Sequence, residues 1–146
     1  MQLFDSWAGL LAADEFRRWV IAPTAEIVRQ LHVRYPQVPV IGFPRGAGIL
    51  YAEYAEATGV DAVGLDAAVP IEWAATTLQQ KCTVQGNLDN YLLKVGGAEM
   101  DRATDRLIDV LGGGPFVFNL GHGILPDTPP EHVAQVAERL HAAVEE

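Results

Sequence analysis

The 146-residue chain has the length of one domain, and its 49% hydrophobic residues are ample for a buried core. Nineteen acidic residues against ten basic residues give a net charge of −9, which argues against nucleic acid and against an anionic membrane surface as partners. The one cysteine, Cys82, cannot form an internal disulfide, and no apolar run approaches the roughly 18 residues of a membrane span. The start of the chain also lacks the pattern of a secretion signal. We therefore expect a cytoplasmic protein of one domain, residues 1–146.

Short apolar runs alternate with helical patterns along the whole chain. The predicted strands cover residues 2–4, 38–43, 61–65, 82–85 and 116–120. The predicted helices cover residues 13–35, 47–58, 70–80, 98–111 and 129–144. Pro23 either splits the first helix or starts a second one, and Gly59 ends the helix that precedes it.

Five strand-then-helix units with these spacings predict right-handed crossovers and a parallel sheet, so the fold class is α/β. Two architectures fit this pattern: an open sheet with helices on both faces, or part of an eight-unit barrel. Five units cannot close a barrel, which needs about 250 residues. No predicted strand ends in the glycine fingerprint of a dinucleotide site or in a phosphate loop.

His122 is the residue most strongly suggested for chemistry. It lies just past the apolar run 116–120, directly after Gly121, and before a helix for which Thr128 is a good N-cap and Pro129 a good first residue. Ligands bind at this edge of the sheet in open α/β sheets and in barrels alike. The alternative is a solvent-exposed loop histidine without a function.

Four segments together resemble the C-terminal part of uroporphyrinogen decarboxylase. They are residues 2–9 (QLFDSWAG), 63–66 (VGLD), 84–89 (VQGNLD) and 118–126 (FNLGHGILP). The resemblance implies the C-terminal portion of a (β/α)8 TIM barrel, with parallel strands and helices on the outer face. It also implies an enzyme of haem biosynthesis that removes four acetate carboxyl groups from uroporphyrinogen to give coproporphyrinogen. Such enzymes use no metal or organic cofactor and are typically homodimers with facing clefts.

Three residues are carried over as candidate site residues. Ser6 matches the serine that the family uses on substrate carboxylates, and His122 matches the histidine of its Gly-His-Gly motif, with a catalytic and a substrate-binding role. Arg45 also follows a predicted strand and could form a charge-assisted bond with a propionate or acetate of the substrate. A turn or cap hydroxyl is the alternative role for Ser6, and a surface ion pair is the alternative role for Arg45.

Other polar residues are expected to have structural roles. Asn87 and Asp89 are predicted to make side-chain-to-backbone bonds in a loop. Asn90 stands where the resemblance predicts a proline, and we expect it to soften that loop without affecting chemistry. The remaining histidines fall in predicted helices and are expected to be solvated: His32, His132 and His141.

Part of the family's catalytic machinery cannot be mapped onto this sequence. The family's two substrate-gripping arginines, a tyrosine and the aspartate that stabilises the pyrrole cation belong to its first half, and this chain begins after them. We therefore expect the isolated chain to be inactive. Its outer strands near Leu3 and Val117 would be unpaired, so we expect the chain to form a homodimer or to be completed by an N-terminal half. A non-catalytic half-barrel is the alternative. A zinc-dependent, cobalamin-linked methyltransferase relative is a weaker alternative, since residues 43–46 contain no thiol.

Overall fold

One five-stranded parallel sheet forms the centre of the molecule. The computed structural model describes residues 1–145. The strands are β1 (Gln2–Asp5), β2 (Ile41–Pro44), β3 (Ala62–Gly64), β4 (Thr83–Leu88) and β5 (Phe116–Leu120). They are hydrogen-bonded in sequential order, and every neighbouring pair is parallel. This confirms the predicted class and strand order.

The helices connect the strands in the expected places. They are α1 (Ala13–Phe16), α2 (Ala22–Arg34), α3 (Tyr51–Thr58), α4 (Ile71–Trp73), α5 (Asn90–Val95), α6 (Gly97–Leu111) and α7 (Pro130–Glu145). Pro23 does not break the first helix, because it lies in the first turn of α2, and a π-helical turn, Arg17–Ile21, joins α1 to α2. Another π-helical turn, Ala74–Leu78, follows α4. Gly59 follows the last residue of α3, as predicted, and it adopts the left-handed conformation.

The helices pack on one face of the sheet. On that face Gly42 of β2 lies against the phenol ring of Tyr54 of α3, where a larger residue would not fit. Val63 and Val84 of the central strands are fully buried in the same apolar core. The opposite face is open: Phe4 is 70% exposed and Val117 is 43% exposed. This one-sided arrangement is that of a barrel wall, and it excludes the open sheet covered on both faces.

Three local predictions were wrong. Helix α7 begins at Pro130, close to its predicted start, but the buried hydroxyl of Thr128 makes no hydrogen bond with any residue the structure describes, so Thr128 is not the predicted helix cap. Strand β4 continues through Leu88, so Asn87 lies in a strand and not in a loop. Helix α5 was not predicted at all, because six residues are too few to show a helical period.

Two histidines are also less solvated than predicted. Nε2 of His32 lies 3.1 Å from a carboxylate oxygen of Asp61, and Nδ1 of His132 lies 2.9 Å from the carbonyl oxygen of Leu93. His141 is exposed, as expected. No helix within residues 1–145 is long and apolar enough to cross a membrane.

Candidate functional site

All three candidate residues lie at the carboxyl edge of the sheet. Ser6 directly follows β1, Arg45 directly follows β2, and His122 comes two residues after β5. Because the strands are parallel, the loops that carry these residues project from the same end of the barrel wall.

His122 and Arg45 line the same cavity. It has a volume of about 410 Å³, and Asp89, Asn90 and Tyr91 from the β4–α5 connection contribute to its wall. Within residues 1–143, whose side chains the structure describes, the guanidinium group of Arg45 forms no ion pair, so its alternative role as a surface ion pair is not seen there. Besides the carboxylates of Asp66 and Asp89, the cavity therefore holds a guanidinium group without an ion pair and an exposed imidazole, and this pair suits a carboxylate ligand.

The imidazole of His122 is oriented by the backbone beside it. The N–H of Gly123 donates a hydrogen bond of 2.8 Å to Nδ1 of His122, so the neutral ring carries its proton on Nε2. His122 also borders a second cavity of about 220 Å³ on the open face of the sheet, which reaches Phe4 of β1. Residues of the two outermost strands thus line one cavity, as the curvature of a barrel requires.

Ser6 lies in a loop that is bound to the loop of Arg45. The N–H of Gly9 donates to the carbonyl oxygen of Arg45 over 2.9 Å, and the N–H of Arg45 donates to the carbonyl oxygen of Asp5 over 3.0 Å. Gly9 has to be a glycine, because a Cβ there would lie 2.6 Å from the carbonyl carbon of Gly46. Ser6 itself is exposed and is not among the residues that line the cavity of His122 and Arg45.

Asp66 is a structural residue of the site that the sequence did not predict. It directly follows Leu65 at the end of the third strand unit and is buried. Its Oδ2 accepts hydrogen bonds of 2.8 Å from the N–H of Gly46 and from the phenol of Tyr51, and its Oδ1 accepts one of 3.0 Å from the N–H of Ala68. Burial is the main cause that strongly raises the pKa of Tyr51, and the negative charge of Asp66 raises this pKa further. The phenol therefore stays protonated and continues to donate its hydrogen bond. Two signals were available: the position of an acidic residue just past a buried strand, and its place in the segment 63–66 that carries the family resemblance.

Asn87 and Asp89 make the side-chain-to-backbone bonds that were predicted. The amide of Asn87 donates to the carbonyl oxygens of Asp66 and Val69, over 2.8 and 2.9 Å. The carboxylate of Asp89 accepts from the N–H of Tyr91 over 2.8 Å and so caps α5. Both side chains therefore hold the loops of the carboxyl edge in place.

Comparisons with known proteins agree with this geometry. A model of the family described as uroporphyrinogen decarboxylase matches residues 1–143. The chain belongs to the uroporphyrinogen decarboxylase family. It is 59% identical over 142 residues to uroporphyrinogen decarboxylase of Rhodospirillum rubrum, covering 97% of this chain and 41% of that protein. The corresponding protein of Rhizorhabdus wittichii is 58% identical over 140 residues, covering 96% of this chain and 41% of that protein.

The chain spans about two fifths of the length of these relatives. The uroporphyrinogen decarboxylase fold is a (β/α)8 barrel, and the five sequential strands are part of such a barrel. The family match also leaves little support for the methyltransferase alternative. Cys82 directly precedes β4 and therefore lies at the amino edge of the sheet, whereas His122 lies at the carboxyl edge. The two side chains are at opposite ends of the strands and do not form a shared zinc site. The thiol is half-buried, and this burial raises its pKa.

Asn90 does more than the sequence predicted. Its side chain is only 8% exposed, and its Nδ2 donates a hydrogen bond of 2.8 Å to the carbonyl oxygen of Gly123. The expectation that Asn90 would soften its loop was wrong, because a partly buried hydrogen bond joins this residue to the loop of His122. Sequence patterns could not reveal this contact, since the two partners are 33 residues apart.

Proposed function

We propose that the chain forms part of a uroporphyrinogen decarboxylase active site, in which Ser6, Arg45 and His122 bind carboxylates of the porphyrinogen and His122 takes part in catalysis. The observation that carries this proposal is the cavity shared by His122 and the unpaired Arg45. The reaction would remove four acetate carboxyl groups from uroporphyrinogen and give coproporphyrinogen, in the cytoplasm and without a metal or organic cofactor.

The residues of this chain can orient the substrate. The guanidinium of Arg45 offers two parallel N–H groups to one carboxylate, and Nε2–H of His122 can donate to another. Such fixed donors reduce the entropy that a reacting acetate must lose before its C–C bond breaks.

The chain does not supply every group that the chemistry needs. Decarboxylation requires protonation of the pyrrole ring at carbon, and the resulting cation needs an anion beneath the ring N–H groups. Asp66 is not suited to that role, because both of its oxygens already accept hydrogen bonds from Gly46, Tyr51 and Ala68. We therefore propose that the remaining barrel units, which the relatives possess, provide this anion, and that this chain alone is inactive.

Complementation tests the proposal. Coproporphyrinogen formation is measured for this chain alone, for the non-matching part of the Rhodospirillum rubrum relative alone, and for the two together after co-purification. We expect turnover only in the complex, and a loss of about a hundredfold or more when His122→Ala is introduced. His141→Ala, on the exposed part of α7, is the matched control and should leave the rate unchanged. Turnover by this chain alone, or none in a stable complex, would refute the proposal.

A non-catalytic or shared role is the second candidate, and the open sheet favours it. The outer edges of β1 and β5 have no strand neighbour within residues 1–145, and Phe4 and Val117 are exposed on the open face. We propose that the chain self-associates as a homodimer or is completed by another chain. Light scattering at micromolar concentration should show a species larger than 15.8 kDa. A monodisperse monomer would contradict this assembly.

A further inference from the structure

We infer that Asn90 is a positioning residue for His122, and that it acts through Gly123 by fixing which imidazole nitrogen carries the proton. This inference deepens the proposed function, on which its catalytic meaning rests. The two contacts that carry it are the bond from Asn90 Nδ2 to the Gly123 carbonyl oxygen and the bond from the Gly123 N–H to His122 Nδ1, each 2.8 Å long.

Gly123 has little else to hold it. It has no side chain, and a Cβ built at this position would meet no atom within 4 Å, so packing does not restrict its backbone. A glycine in open space samples a wide range of φ and ψ values. In the described part of the chain, the Asn90 amide is the one group that bonds its carbonyl oxygen. The bond from Asn90 therefore restrains the ψ angle of Gly123 and, through its backbone, helps to hold the Gly123 N–H toward His122.

Asn90 is well placed to act as an anchor. It is the first residue of α5, whose N-cap Asp89 bonds the N–H of Tyr91, so its backbone is held independently of the amide bond to Gly123. The Asn90 side chain is buried, and its bond to the exposed Gly123 is partly buried. Asn90 thus connects the start of a helix to the loop of the candidate catalytic histidine.

The consequence is a defined tautomer at the site. With Gly123 N–H donated to Nδ1, the proton of a neutral His122 lies on Nε2, where it is available to a ligand in the cavity. When Gly123 is released, Nδ1 loses its donor and the Nδ1–H tautomer becomes more populated. Asn90 would then influence substrate binding through His122 without touching the substrate.

The test is nuclear magnetic resonance of the 146-residue chain with 15N-labelled imidazoles, at a pH where His122 is neutral. Asn90→Leu removes the donor and keeps a similar shape, and Asn90→Asp keeps the size and suits a helix N-terminus. We expect the ratio of Nε2–H to Nδ1–H tautomer of His122 to fall about fivefold in both, which is the effect of one typical net hydrogen bond. The signals of His32 and His141 should not move.

Asn119→Asp is the matched control for added charge. Asn119 lines the second cavity of His122, and the replacement keeps the oxygen that accepts from the N–H of Leu120. It should leave the tautomer ratio within twofold. An unchanged ratio in Asn90→Asp, or in Asn90→Leu if only that variant folds, would overturn the inference. This measurement needs no turnover, so it remains decisive even if complementation shows that the proposed decarboxylase function is wrong.

Discussion

The phenol of Tyr51 donates a 2.8 Å hydrogen bond to Oδ2 of Asp66, and both side chains are buried where the loops after β2 and β3 meet. The same carboxylate oxygen accepts the N–H of Gly46, the residue next to Arg45. Tyr51 is the first residue of α3, so this one carboxylate joins a helix and two loops. The position of Arg45 therefore depends on Asp66, which lines the cavity, and on Tyr51, which does not.

Replacing Tyr51 with phenylalanine should destabilise the chain. The variant loses the donor to a buried carboxylate, and we expect the free energy of unfolding to fall by about 1–3 kcal/mol. Urea unfolding, with unchanged slope against denaturant, measures this loss. Tyr91→Phe is the control, because Tyr91 is exposed and its change should stay within about 0.5 kcal/mol. Equal stabilities of the two variants would show that the Tyr51–Asp66 bond contributes nothing.

Gly9→Ala should disturb the contact between the loops of Ser6 and Arg45. The new methyl group would overlap the backbone of Gly46, which cannot move aside as a flexible side chain could. We expect a loss of stability of about 1–3 kcal/mol by thermal unfolding. Gly113→Ala is the matched control: a Cβ there meets no atom within 4 Å and the residue has no positive φ. An unaltered melting temperature for Gly9→Ala would contradict the close packing of these loops.

Arg45→Gln should weaken substrate binding in the complemented enzyme. A hydrogen bond to a charged group contributes about 1.5–3 kcal/mol, so KM should rise roughly tenfold to a hundredfold while kcat changes less. Steady-state kinetics at fixed ionic strength separates the two constants. Arg29→Gln is the control, since Arg29 pairs with Glu26 on α2 and is not among the residues that line the cavity. If KM were equal in the two variants, Arg45 would have no role in binding.

Asp61 should make stability depend on acidic pH. Its pKa is lowered from 3.8, chiefly by the hydrogen bond from the N–H of Val40 and further by His32. A carboxylate whose pKa is lower in the folded than in the unfolded state stabilises the folded protein fully at pH values above the unfolded-state pKa. This stabilisation is lost as the pH falls through the folded-state pKa. The stability difference between the parent and Asp61→Asn should therefore be largest above about pH 5 and shrink below about pH 4. Solvent screening reduces this stability difference, because the side chain of Asp61 is 47% exposed.

Urea unfolding between pH 7 and pH 3.5 measures this difference. Asp109→Asn provides the control, since Asp109 is exposed and forms no ion pair with the side chains of residues 1–143. A difference for Asp61→Asn that stays constant over the whole range would rule out the linkage.

Local patterns were sufficient to predict the strands and most helices. Apolar runs and glycine stops predicted the observed bounds of β5 and the end of α3 at Gly59. The carboxyl-edge positions of Ser6, Arg45 and His122 followed from strand direction alone. These features depend on residues that are close in sequence, or on a rule that holds for all parallel sheets.

The missed features depend on contacts between distant residues. Asp66 has its role because Tyr51 and Gly46 reach it from another unit, 15 and 20 residues away. Asn90 was misjudged because its partner Gly123 belongs to the next strand unit. Neither pairing has a local signature, since an aspartate or asparagine after a strand also suits a turn.

Each strand of the sheet pairs only with the strands that precede and follow it in sequence. The largest sequence separation between paired residues is that between β1 and β2, as in the pair Gln2 and Ile41. Loop closure therefore never has to span more than one strand–helix unit, which keeps the contact order of the sheet low. We expect folding to begin in any pair of neighbouring units and to grow outward from it. Because both ends of such a growing sheet offer the same kind of parallel edge, a unit synthesised earlier or supplied by a separate chain could be added without rearranging those already formed.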